Sequence, residues 1–180
     1  MIDSRYPPLA LKPVEFELEV RKMLDALGHD IEDYNSKHRE RIQGTDGDYE
    51  IDVSVRFQAL GMSFLVLVEC KHYKNPVKRE VLQILYDRMR SVGAQKGAIF
   101  ASSGFQSGAL EYARTHNIAT VSLVDGRSTY YTKSFGGGVI EPPAFANIPS
   151  VAGWLVRGNT FSMVSCNYGE ALASFLFSSD

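Results

Sequence analysis

The spacing of apolar residues predicts four helices. Over Pro13–Leu27, apolar side chains recur every three or four residues, with a proline in the first turn and Gly28 at the end. A second helix is expected from an N-cap at Asn75 to Gly93, and two shorter ones over 106–116 and 169–177. The apolar stripe predicted for the second helix consists of Val77, Val81, Ile84, Leu85, Met89 and Val92.

Strand patterns lie between these helices. The alternation over Tyr49–Phe57 predicts that Tyr49, Ile51, Val53, Val55 and Phe57 share one face and that Asp52 points to the other. The apolar run 62–70 suits a strand covered on both sides. The short link 58–61 predicts that the strands over 49–57 and 62–70 form an antiparallel hairpin. Strands over 97–101 and 118–124 alternate with helices, which indicates parallel pairing. Residues 30–43 are polar and favour a strand only weakly. The fold class is therefore α/β, with a central mixed β-sheet flanked by helices.

Composition limits the classes of protein. The chain has 180 residues, 44% hydrophobic and 22% charged, which fits one folded domain, alone or with an appendage. Two cysteines exclude a disulfide scaffold, and no apolar run approaches the ~18 residues of a membrane span. We therefore expect a cytoplasmic protein that has no membrane contact.

The chain changes character after Asp125, where glycine, proline and loop signals become frequent. We expect a main domain over 1–125 and a C-terminal extension over 126–180. The extension contains Trp154, Phe161, Phe175 and Phe177 but is too short to bury them by itself. These side chains pack either on the main domain or across an interface with a second subunit.

Charge is unevenly distributed. The net charge of −2 excludes a strongly basic nucleic-acid binder as a description of the whole chain. Residues 70–96, however, contain seven basic and two acidic side chains. This is either a solvated helix face or a local patch for an anionic partner.

Three residues together suggest chemistry. Glu69 and Lys71 lie two positions apart at the end of the buried strand and share a face, and Asp52 lies on the polar side of the neighbouring strand. Two adjacent carboxylates repel each other, and a hard divalent cation such as Mg²⁺ relieves that cost. Lys71 could then hold or help deprotonate a water molecule. The plainer alternative is a surface salt bridge between Glu69 and Lys71.

Several segments in order carry a family resemblance. They are Phe16–Val20 with Met23, Leu24, Leu27 and Gly28; Gly44–Gly47 running into Glu50–Val53; Val68–Lys71; Gly93–Gly97; and Ser102–Phe105. Together they resemble the PD-(D/E)xK nuclease superfamily, and more closely its Mrr-like restriction endonuclease domain. The resemblance covers about residues 14–124. Two departures are Glu50, where many relatives have glycine, and His72-Tyr73, where others have arginine and tryptophan.

The resemblance implies a role for each matching residue. Asp52 and Glu69 would bind Mg²⁺, for which Mn²⁺ could substitute, with help from the backbone carbonyl of Cys70. Lys71 would position and activate water. Glu17 matches a helical glutamate that supports the metal site, and Gln83 falls near a helical glutamine of many relatives.

The expected function is metal-dependent endonucleolytic hydrolysis of DNA. The alternatives are a non-catalytic DNA-binding module and a structural assembly subunit with the same fold. Lys74, Lys78 and Arg79 follow the site and are expected to contact the DNA backbone. Cutting both strands favours a homodimer. His29, His38 and His116 lack partners at zinc-binding spacing and are interpreted as solvated.

Overall fold

A computed structural model describes residues 9–126 and 148–178 of the chain. Its first part contains α1 (Pro13–Leu27), β1 (Asn35–Gln43), β2 (Asp48–Ala59), β3 (Met62–Lys71), α2 (Arg79–Val92), β4 (Lys96–Ala101), α3 (Ser107–Thr115) and β5 (Ile118–Asp125). Its second part contains β6 (Val151–Arg157), β7 (Thr160–Val164) and α4 (Glu170–Phe177). These elements confirm the α/β class. The polar stretch 30–43, which favoured a strand only weakly, contains the nine-residue strand β1.

One mixed sheet organises the described residues. Its seven strands lie in chain order, from β1 to β7. The β2–β3 hairpin is antiparallel and the β3–β4 and β4–β5 pairs are parallel, as predicted. One face of the sheet packs on α1 and α4, and the other packs on α2 and α3. Both faces are thus covered, which explains the continuous apolar runs of the central strands.

The start of α2 differs from the prediction. The helix begins at Arg79 rather than next to Asn75, because Val77 forms a bridge with Phe105. The Val77 amide donates to the Gly104 carbonyl at 2.8 Å, so this segment is held as extended chain. The apolar stripe changes accordingly. Leu82 is fully buried, whereas Ile84 is 54% exposed.

The predicted alternation along β2 is wrong at one point. Val53, Val55 and Phe57 pack on the α1 face, but Ile51 packs with the residues of α2. The switch occurs at Asp52, where the β1–β2 register pairs His38 with Val53 and Glu40 with Ile51 but leaves out Arg39, a residue with φ of 51°. A left-handed residue inside a strand interrupts the regular alternation of faces. The interruption of the ladder at Arg39 thus coincides with the change of face at Asp52.

The C-terminal segment continues the same sheet. Strand β6 pairs with β5, and Phe175 and Phe177 of α4 are buried in the core that also contains α1. Lys96, which the sequence grouped with the basic stretch, is buried and donates to the Phe175 carbonyl at 3.0 Å. Packing on the same chain, rather than a subunit interface, therefore buries these two phenylalanines. Much of the loop-rich stretch, residues 127–147, lies outside the described residues.

Candidate active site

The site begins where β2 and β3 separate. Their antiparallel ladder ends at the Val53–Val68 pair, although β3 continues to Lys71. Beyond that pair, the Cys70 amide donates to Asp52 Oδ2 at 2.7 Å. A side chain thus takes the hydrogen bond that a strand backbone would accept in a longer ladder. Separation of the strands opens the space in which the carboxylates lie.

Glu69 is buried between two cationic side chains. It is 8% exposed, and Lys71 Nζ lies 2.5 Å from its Oε1 atom. Arg88, which projects from α2, lies 2.9 Å from Oε2 through Nη1. Glu69 and Lys71 contact each other on the same face of β3, as expected, and Glu69 also contacts α2 through Arg88. The salt bridge of the plainer alternative is present, but it is buried rather than on the surface, and it has a second cation.

Asp52 has no such cation within hydrogen-bonding distance in the described structure. Burial and the nearby charge of Glu69 raise the pKa of Asp52. Burial opposes the charge of Lys71, but the Glu69 carboxylate outweighs it and raises the pKa of Lys71, which stays protonated. Two carboxylates therefore share a half-buried space in which only one of them is paired.

Glu17 lies on the other side of the sheet, in α1. It is 8% exposed and accepts from Arg39 Nε at 2.9 Å and from Nη2 at 3.1 Å. His38 Nε2 lies 2.7 Å from the same carboxylate. Burial opposes this charge, but the hydrogen bonds from Arg39 and His38 outweigh it and lower the pKa of Glu17. His38 is thus an inward-facing partner of Glu17, and its interpretation as a solvated side chain is wrong.

The remaining predicted residues are on the surface. Gln83 is exposed on α2 and has no hydrogen bond within the described part of the chain. Arg88, five residues further along the helix, is the α2 side chain that contacts Glu69. Lys74, Lys78 and Arg79 are exposed, and the Arg79 guanidinium lies 5.1 Å from the centre of the Tyr112 ring. Their contact with DNA stays a prediction.

The donor set fits a hard divalent cation. Asp52 and Glu69 supply carboxylate oxygens, and the Cys70 carbonyl lies between Glu69 and Lys71 in the chain. Mg²⁺ needs only one or two carboxylates because it keeps several waters. No group of three or more histidine, cysteine, aspartate or glutamate side chains in the described ranges forms a metal cage. The unpaired charge of Asp52 is the feature that a cation would neutralise.

Sequence reasoning missed His38, Arg39 and Arg88. A signal for the first two was present in the predicted turn at Gly44–Gly47, because a four-residue link pairs Gln43 with Asp48. Counting back from that pair places residue 39 opposite Asp52. No comparable signal exists for Arg88, whose approach to Glu69 depends on how α2 packs on the sheet.

The family comparison assigns this fold to the restriction endonuclease class. Residues 9–128 match the family model Mrr_cat, described as restriction endonuclease, and the chain belongs to that family. Members of this family generally use divalent metal ions.

A curated relative agrees with this assignment. The chain is 32% identical over 120 residues to the type IV methyl-directed restriction enzyme EcoKMrr of Escherichia coli (strain K12). That match covers 66% of this chain and 36% of the relative, so the chain spans about a third of its length.

Two solved structures are also similar. The protein of unknown function AF1548 is 24% identical with a TM-score of 0.46, over 58% of this chain and 56% of that one. The MspJI restriction endonuclease in complex with a 27-mer oligonucleotide is 17% identical with a TM-score of 0.40, over 58% of this chain and 24% of that one.

Within the described residues, none of the helices is long and apolar enough to cross a membrane.

Proposed function

We propose that this protein is a Mg²⁺-dependent endonuclease that hydrolyses phosphodiester bonds in DNA. The observation that carries the proposal is the meeting of Asp52, Glu69 and Lys71 where β2 and β3 separate, with Asp52 unpaired by a cation. A binding-only protein has no use for two buried carboxylates that repel phosphate. Family membership supports the same conclusion.

Each residue has a proposed role. Asp52, Glu69 and the Cys70 carbonyl hold the metal, which would polarise the scissile phosphate and lower the pKa of a bound water. The Glu69 carboxylate raises the pKa of Lys71, so the lysine stays protonated and stabilises negative charge that develops on the phosphate. Glu17 acts as a positioning residue, because its bond to Arg39 holds the β1 distortion that faces Asp52. Gln83 is proposed to contact the substrate from α2.

Plasmid nicking with Mg²⁺ tests the proposal. We expect Lys71→Ala to lower the nicking rate by about 10²–10⁴-fold, the usual effect of removing a catalytic proton-transfer or charge-stabilising group. Lys96→Ala is unsuitable as a control because Lys96 is buried. Lys37→Ala, an exposed lysine of β1, is the matched control and should nick at the wild-type rate.

Circular dichroism of both variants checks that they fold. Equal nicking by wild type and Lys71→Ala would exclude a catalytic role for this lysine. DNA binding without nicking in the wild type would favour the non-catalytic module. Absence of both would favour an assembly subunit.

The exposed cations after the site are proposed to bind the DNA backbone. Replacing Lys74, Lys78 and Arg79 with alanine should reduce the slope of log affinity against log salt by up to about 2–3, because each phosphate contact contributes about 0.9. Binding should weaken for all sequences alike, since backbone contacts position rather than specify. An unchanged slope, measured by fluorescence anisotropy, would assign the patch to solubility.

We further propose that the protein acts as a homodimer in the cytoplasm. Two active sites let one complex cut both strands of a duplex, and closed two-fold dimers are the commonest oligomers. Free Cys70 and Cys166 are compatible with a reducing compartment. Light scattering with and without DNA tests the dimer, and a monomer on duplex DNA would contradict it.

A further inference from the structure

A cavity of about 370 Å³ opens between α3 and the β6–β7 hairpin, away from the metal ligands. Its apolar lining includes Phe105, Leu110, Val156 and Phe161, and its polar lining includes Ser122 and Asn159. The volume lies within the range of small-ligand sites. None of the described residues that line it is charged.

A buried serine hydroxyl without a hydrogen-bond partner borders the cavity. Ser122 is 1% exposed, and its Oγ has no hydrogen bond within the described residues. Thr120, two positions earlier on the same face of β5, is satisfied, because its Oγ1 donates to the Val156 carbonyl at 2.8 Å. Buried hydroxyl groups are rarely left unsatisfied, since they give up hydrogen bonds to water on burial. Ser122, unlike Thr120, therefore has an unused hydrogen-bonding group beside the cavity.

The cavity lies on the same face of the sheet as the candidate active site. Lys71 pairs in register with Ala101 on β4, and Ala101 pairs with Ser122 on β5. Two strand spacings separate Lys71 from Ser122, about 10 Å, which is the size of a nucleotide. The loop after β4 joins the two places, because the Ser102 amide donates to the Lys71 carbonyl at 3.0 Å and Phe105 lines the cavity. The candidate active site lies at the carboxyl end of β3 and Phe105 follows the carboxyl end of β4, whereas the β6–β7 hairpin lines the cavity beside the amino-terminal half of β5.

We propose that this cavity binds an unpaired nucleobase of the DNA strand that the active site cleaves. Phenyl rings of Phe105 and Phe161 suit the faces of a flat base, and the Ser122 hydroxyl and Asn159 amide suit its hydrogen-bonding edge. An uncharged lining disfavours a phosphate or an acidic peptide, which would need cations. The occupant is therefore the base itself, and its role as part of the substrate rests on the proposed nuclease function.

Binding of free nucleosides tests the cavity without relying on cleavage. NMR titration of the full chain with the four deoxynucleosides should give saturable shifts at Ser122 and Phe161, and 2-deoxyribose, which has no base, should give none. Phe161→Ala should weaken binding by about 5- to 100-fold, the usual loss for one base-stacking ring. Phe161→Tyr keeps the ring and should retain binding.

Two further variants separate a binding role from a structural one. Tyr168→Ala removes an exposed aromatic ring of the same segment outside the cavity, 66% exposed against 52% for Phe161, and it should bind nucleosides like the wild type. Ser122→Ala should weaken nucleoside binding without lowering the melting temperature, because the hydroxyl makes no internal hydrogen bond. A stability loss in Ser122→Ala with unchanged binding would overturn the proposal.

Parallel plasmid nicking keeps this inference distinct from the proposed function. Mg²⁺-dependent nicking with no saturable nucleoside shift in the cavity would overturn the base site and leave the nuclease intact. Nucleoside binding without nicking would support the base site and contradict the nuclease. Equal weakening of binding by Phe161→Ala and Tyr168→Ala would also overturn the base site.

Discussion

Two carboxylate regions flank the end of the β2–β3 hairpin, and they differ in how their charge is balanced. Around Glu17, one buried carboxylate is held by Arg39 and His38. Around Asp52 and Glu69, both cations, Lys71 and Arg88, bind Glu69, and Asp52 has no cation within hydrogen-bonding distance among the described residues. The pKa of Glu17 is lowered, whereas burial and Glu69 raise the pKa of Asp52. The carboxylate of the first region is paired with two cationic partners, whereas Asp52 in the second region is not paired with a cation, which is where we propose that Mg²⁺ binds.

The largest expected consequence is stabilisation by Mg²⁺. At a concentration 100-fold above its dissociation constant, a bound ion adds about 2.7 kcal/mol to the free energy of unfolding. For a chain of this size that raises the melting temperature by about 5–10 °C. Differential scanning calorimetry should show this rise in the wild type and in Glu17→Gln. Asp52→Asn should lose it, and an undiminished rise in Asp52→Asn would contradict the comparison.

Glu17→Gln should destabilise the fold. The change leaves Arg39 and His38 without their anion, and removal of one partner of a buried charged hydrogen bond costs about 2 kcal/mol. Because the folded pKa of Glu17 is lowered, its contribution is fully present above the ordinary carboxyl range and is lost as pH falls through the folded value. Urea unfolding at pH 7 should therefore show a larger deficit than at pH 3. A deficit independent of pH would assign it to packing.

Asp52→Asn should have the opposite sign in metal-free protein. The asparagine oxygen can still accept from the Cys70 amide, while the repulsion from Glu69 disappears. We expect a gain of about 1 kcal/mol at neutral pH, or about 2–4 °C in melting temperature. Because the folded pKa of Asp52 is raised, its cost exists above that pKa and vanishes as pH falls below the ordinary carboxyl range. A loss of stability at neutral pH in EDTA would disprove the repulsion.

Arg88→Met should produce the smallest effect. Arg88 neutralises part of the Glu69 charge, so its removal should strengthen Mg²⁺ binding by about 3- to 10-fold, as expected for a partly exposed ion pair. Arg90→Met, on an exposed position of the same helix, is the matched control. Isothermal titration calorimetry measures both affinities. Weaker Mg²⁺ binding by Arg88→Met would show that the arginine orients Glu69 instead of competing with the ion.

The C-terminal segment shows where family resemblance and packing differ. The family match ends at residue 128, close to the boundary expected at 125. Strands β6 and β7 nevertheless extend the sheet, and α4 contributes Leu172, Phe175 and Leu176 to the core shared with α1. Sequence composition alone left open what these apolar residues pack against. The pairing of β6 with β5 and the packing of α4 against α1 show that these apolar residues pack on the main domain.

Local pattern determined much of this protein. Helical periodicity gave α1 its observed bounds, and period-two spacing put Glu69 and Lys71 on one face. Both features depend on near neighbours along the chain, which is why sequence alone predicts them. The order of several short motifs along the chain was also sufficient to indicate the family.

Tertiary structure decided the rest, because it depends on contacts between distant segments. The bridge between Val77 and Phe105 keeps the chain extended before α2 begins at Arg79. The β1–β2 ladder is interrupted at the left-handed Arg39, where β2 changes the face that it buries. The packing of α2 on the sheet brings Arg88 to Glu69. The parallel pairing of β3 with β4 and of β4 with β5 places Ser122 in line with Lys71. Sequence thus determines which side chains can act together, whereas long-range packing sets which of them are charged, paired or left open to a ligand.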